Sequence, residues 1–96
     1  MSIINRVKQT RPNIAVGFFT PGAEVITRLD ELVAAGEIES YNLNEESADG
    51  LKKTMTFTFK DTNALDNFLN EDVSIDSRAD RNTYCGLNNI ILETEE

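Results

Sequence analysis

The densest group of chemically capable side chains lies in Asp76-Ser77-Arg78-Ala79-Asp80-Arg81, with Tyr84 and Cys85 close behind. Two guanidiniums three residues apart can clamp a carboxylate or a partner's acidic side chain, because each offers a planar fork of N–H donors. The two aspartates interleaved with them give the competing role, an internal ion-pair cluster that fixes the segment. Arg78, Arg81 and Tyr84 are therefore the candidate contact for an anion or a partner. They follow from a polar connection over 72–82 anchored by Val73 and Ile75, and long loops often carry function.

Other chemistries find little support. The chain has no histidine, which removes the commonest general base, the Ser-His relay and the usual transition-metal ligand. Cys85 sits in an apolar strand with no histidine partner and reads as a small core hydrophobe. Gly17, Gly22, Gly36, Gly50 and Gly86 are isolated, so no phosphate-cradling loop is present. The acidic stretches 45–50 and 71–80 do not have the spacing of a calcium-binding EF-hand loop. No catalytic residue, metal site or cofactor is assigned on these grounds, and an enzyme is the less expected outcome.

The charge balance narrows the partners. Seventeen acidic residues against nine basic give a net charge of −8. Nucleic-acid affinity depends on Lys and Arg displacing counterions, so direct DNA or RNA binding is not expected. Docking on an anionic membrane surface is disfavoured in the same way. A lone cysteine allows no internal disulfide and suits a reducing, cytoplasmic setting. No window approaches the ~20 apolar residues of a membrane-spanning helix. A chain of 96 residues has room for one domain.

The elements that must position these residues read as follows. Residues 1–12, with Ile3, Ile4 and Val7, form an arm laid on the sheet or on a partner. Asn13–Phe19 is apolar on both faces, the mark of a central strand. Thr20 and Pro21 start a helix whose core face is Val25, Ile26, Leu29, Leu32 and Val33, and Gly36 stops it. Residues 37–44 are an edge strand with Tyr41 half-buried. Residues 51–60 alternate, with Leu51, Met55, Phe57 and Phe59 inward and Thr54, Thr56, Thr58 and Lys60 outward; Lys53 interrupts the inward row at a frayed start. Asp61 or Thr62 caps a short helix over 62–71 carrying Ala64, Leu65, Phe68 and Leu69. Residues 83–93 give the last strand, and 93–96 a frayed tail.

The resulting order, β-α-β-β-α-β, predicts an α+β fold: a ferredoxin-like two-layer sandwich with a four-stranded antiparallel sheet in the order 4-1-3-2. Two helices cover one face. The first and last strands, apolar on both sides, leave part of the other face in need of cover. Ala15, Gly17, Phe19, Leu87, Asn89 and Ile91 are the expected interface there, with Arg78 and Arg81 at its edge. The leading expectation is thus a non-enzymatic interaction or structural module. It associates with itself through the sheet, or with another protein, or belongs to a larger assembly such as a viral one. Two alternatives come from other classes. One, by analogy of fold, is a dimeric α/β barrel that binds a small molecule or acts as a cofactor-less oxygenase. The other is an acidic mimic of nucleic acid that blocks a basic partner.

Overall fold

A computed structural model describes the chain through residue 95. Its elements run β1 (Ile3–Thr10), α1 (Ala23–Ala34), β2 (Ile38–Glu46), β3 (Lys52–Phe59), α2 (Thr62–Leu69), α3 (Asp72–Leu87) and β4 (Ile91–Glu95). The four strands form one antiparallel sheet in the order β2-β3-β1-β4. That is the expected order read from the other edge. The architecture is the ferredoxin-like sandwich, with a third helix added.

Register sorts the side chains into two faces. Ile3, Asn5, Val7 and Gln9 of β1 stand opposite Phe59, Phe57, Met55 and Lys53 of β3 on the helix-covered side. Val25, Leu29 and Leu32 of α1 and Ala64 and Leu65 of α2 close the core over them. Ile4, Arg6, Lys8 and Thr10 stand opposite Thr58, Thr56, Thr54 and Lys52 on the other side. In β2 the register shifts between Ile38 and Ser40, so Ile38 and Tyr41 both serve the core. Strict alternation would separate those two residues, and the bulge explains the departure.

The best-signalled termini form as expected. The Gly36 N–H donates to Val33 O at 3.1 Å and the Glu37 N–H to Leu32 O at 3.0 Å, with Gly36 at φ 79°. This pair of bonds is the Schellman stop that favours glycine. Asp61 caps α2 by accepting from the Ala64 N–H at 2.9 Å. At the start of α1, Gly22 and not Thr20 is the N-cap, and no side chain bonds there.

Three segments depart from expectation. The segment at 1–12 is no arm, since Ile3–Thr10 is a central strand. The apolar run 13–19 is instead a loop, with Ile14 72% exposed. An Asn13 turn begins it, the Ala15 N–H donating to Asn13 Oδ1 at 2.9 Å. Arg11 holds its far side, donating to Val16 O at 2.8 Å and Gly50 O at 2.7 Å. Strand preference depends on cross-strand partners more than on composition. IINRVKQT has such partners on both sides, and its one fully buried polar residue, Gln9, finds bonds inside.

The polar connection 72–82 and most of the expected last strand are the helix α3. Ser74, Ser77, Arg78, Arg81 and Cys85 recur at helical spacing along it. The row carries small and amphipathic side chains in place of aliphatic ones, which hides its period. Helix α3 ends at Asn88, and Asn89 takes a left-handed φ of 58° before β4. Glu93 and Thr94 pair with Lys8 and Val7, so the expected frayed tail is strand there. Glu96 lies outside the described residues. Lys53, expected at a frayed start, is buried, with Nζ 5.9 Å from the Phe18 ring centre.

Candidate functional site

A cavity of about 70 Å³ lies between the inner sheet face and the helices. Met55, Phe57 and Phe59 of β3 form its floor, because alternation sends these three to one side. Leu65, Phe68 and Leu69 of α2 and Val25 of α1 supply apolar walls, and Phe19 and Pro21 bring the 11–22 loop against it. Its polar lining comes from Asn5 of β1 and from Ser74, Ser77, Arg78 and Arg81, successive members of the α3 row. No aspartate or glutamate is among the described residues that line it.

The two arginines differ in how they are held. Arg78 donates through Nη2 to Leu69 O and through Nε to Ser74 O at 3.3 Å, tying the end of α2 to α3. Among the described residues Arg81 donates only to its neighbour Asn82, Oδ1 lying 3.3 and 3.4 Å from Nη2 and Nε. Neither pairs with a carboxylate among the described residues. Burial pushes the Arg81 guanidinium below its ordinary value; the nearby Cys85 opposes that shift, and the positive charge of Arg78 adds to it. Burial pushes the Cys85 thiol up, despite Arg81, so the thiol stays protonated, as a core cysteine should.

The 11–22 loop is fastened over this side by β1 and α3. The Gln9 carboxamide donates through Nε2 to Phe19 O at 2.9 Å, and its Oε1 accepts from the Phe19 N–H at 2.8 Å. The side chain thus acts as a peptide group would in a sheet. The Tyr84 hydroxyl donates to Gly17 O at 2.7 Å, and the Tyr84 and Phe19 rings lie 6.0 Å apart. A Cβ at position 17 would lie 3.4 Å from that hydroxyl, at ordinary contact distance.

The expected contact set is therefore divided. Arg78 and Arg81 reach the cavity, and Tyr84 holds the loop that borders it. The expected interface set is not brought onto one sheet face. Ala15, Gly17 and Phe19 lie in the loop, Leu87 ends α3 at 80% exposure, and Asn89 sits in the turn. Of the six only Ile91 lies in a strand, 64% exposed. Sequence reasoning placed Val25, Met55, Phe57, Phe59, Leu65, Phe68 and Leu69 in a core without seeing the space between them. It missed Asn5, Ser74 and Ser77; the helical spacing of Ser74, Ser77, Arg78 and Arg81 was the available signal.

No protein-family model matches the chain, and no curated protein sequence matches it. Solved structures do. One is a putative antibiotic biosynthesis monooxygenase from Deinococcus radiodurans, with a TM-score of 0.57 and 12% identity over 100% of this chain and 91% of that one. A second, similarly described, is from Caulobacter crescentus, with a TM-score of 0.54 and 16% identity over 96% and 86%. Rv0793 from Mycobacterium tuberculosis gives a TM-score of 0.53 and 17% identity over 97% and 92%. The chain has their fold.

The expectation of a non-enzymatic interaction or structural module, self-associating through an apolar sheet face, is corrected by these findings. Two of these neighbours are described as putative antibiotic biosynthesis monooxygenases, a description that does not fit that expectation. The outer sheet face is mostly threonine and charge, so the bare apolar patch that motivated the expectation is not there. Among the described residues, no helix is long and apolar enough to cross a membrane.

Proposed function

We propose that the protein binds a small, largely apolar molecule in the cavity between sheet and helices, in an oxygenase-like role. The cavity itself carries this reading. Protein cores are packed to the density of organic crystals and keep few voids larger than a water. Here about 70 Å³ is lined by aromatic and aliphatic side chains and by five polar ones, four of them on one row of α3. Apolar walls with a few converging polar groups are the usual form of a ligand site. The likeness to solved structures described as putative monooxygenases supports the choice of a small-molecule role.

The size of the space limits the occupant. An apolar cavity of about 150 Å³ admits benzene, so this one takes a branched group of about three heavy atoms, such as an isopropyl, or a larger group if the 11–22 loop yields. The test is a melting-temperature screen with toluene, isovaleramide and isovalerate. A ligand at about a hundred times its Kd adds about 2.7 kcal/mol, a rise of several degrees for a domain of this size. Ser77→Leu, which puts an isobutyl group in the space, should remove the rise. If no compound shifts the parent, or the shift survives in Ser77→Leu, the reading fails. An oxygen electrode then tests the oxygenase-like role, through uptake that requires a bound compound.

A further inference from the structure

We infer that the occupant of the cavity is anionic, a short apolar carboxylate or similar monoanion whose charged group sits against Arg81 with Arg78 beside it. This rests on the small-molecule reading above and names the class of ligand. Three observations lead to it. The chain carries seventeen carboxylate side chains and nine cations, yet two cations and no carboxylate line the cavity among the described residues. Elsewhere two cations are held by carboxylates: Arg28 lies 2.8 Å from Glu71, and Lys60 lies 2.9 Å from Glu37. Arg81, by contrast, is half-buried and among the described residues makes only two long bonds, to a neutral amide.

Two like charges drawn together in a partly desolvated space repel, and an anion between them relieves the repulsion. The guanidinium fork meets a carboxylate with two parallel N–H bonds, which a lysine cannot reproduce. Ser74 and Ser77, each four residues before one of the arginines on the same helix row, also line the cavity. The apolar floor of Met55, Phe57 and Phe59 receives the hydrocarbon part.

Isothermal titration with isovalerate and its neutral isostere isovaleramide tests the inference, with toluene as the uncharged control. The parent should bind the acid at least about tenfold more tightly than the amide, the effect of a charge-assisted bond in place of a neutral one. Arg81→Met keeps the stem and removes the charge; it should bring the acid down to the amide and leave the amide unchanged. Arg81→Lys should keep part of the preference. Equal binding of acid and amide by the parent, or a preference that survives Arg81→Met, overturns the inference. If toluene or the amide binds and the acid gains nothing, the anion is wrong and the small-molecule reading stands. If none of the three binds, both fall. The acid-to-amide ratio of the parent decides the matter even if Arg81→Met does not fold.

Discussion

The two faces of the sheet are built by the same strands from residues one step apart, and they do different work. Toward the helices, Val7, Met55 and Phe59 are buried, and the one fully buried polar side chain, Gln9, has its amide satisfied on both sides. Away from them, Thr54, Thr56 and Thr58 line up beside Arg6 and Lys8. The first face gains from removing apolar area from water and tolerates polar groups only when they are bonded. The second stays wetted and can change with little cost. A cavity with charged groups in its lining belongs to the first face, because only there is electrostatic attraction strengthened by exclusion of water.

The comparison breaks most easily at Phe59. Phe59→Ala should cost about 3–5 kcal/mol in urea unfolding, whereas Thr56→Ala, its counterpart facing outward, should stay within about 0.5 kcal/mol. Similar costs for the two would contradict the assignment of faces. Gln9→Leu should cost about 1–3 kcal/mol, since it strands the Phe19 N–H and C=O. Hydrogen exchange should show the Phe19 amide losing protection while the β1 amides keep theirs; retained protection at Phe19 would mean that the clamp does not hold the loop.

A smaller effect lies on the helix side. Arg28 holds the Glu71 carboxyl below its ordinary value near 4.5 by a direct hydrogen bond, against some desolvation. A group depressed in the folded state stabilises above its unfolded pKa and loses that contribution as pH falls through the folded value. Glu71→Gln should therefore lower stability at neutral pH by up to about 1 kcal/mol, the pair being partly exposed. The gap between variant and parent should close as pH falls below about 4.5; a gap independent of pH would refute the linkage. The smallest effect is that of Tyr84→Phe, which removes one bond to Gly17 O and should cost about 1 kcal/mol or less, with faster exchange confined to the 11–22 loop.

How much of this was legible follows the same division. Helix α1, its glycine stop, the Asp61 cap and the alternating β3 are local signals, carried by residue type and spacing, and they came through. The sheet order came through because handedness and connection rules leave few choices. What failed were elements whose identity depends on distant partners. Asn13–Phe19 has a strand's composition but no strand beside it, and β1 has a mixed composition but neighbours on both edges. Helix α3 was hidden because the side it turns inward carries Ser74, Arg78 and Arg81, residues that count as polar in any search for an apolar stripe. The arginines themselves were legible as candidates for contact with an anion or a partner. Their place in the lining of an apolar cavity was not, since it needs α3 to be a helix.

The central claim is that the inner face, and not the outer one, receives a small molecule. The direct measurement is a methyl NMR titration of the protein with isovalerate. The account predicts progressive shifts at the Met55, Val25, Leu65 and Leu69 methyls, with Ile4 and Ile91 on the outer face unmoved. Shifts confined to Ile4 and Ile91, or no saturable shift anywhere with isovalerate, isovaleramide or toluene, would contradict it.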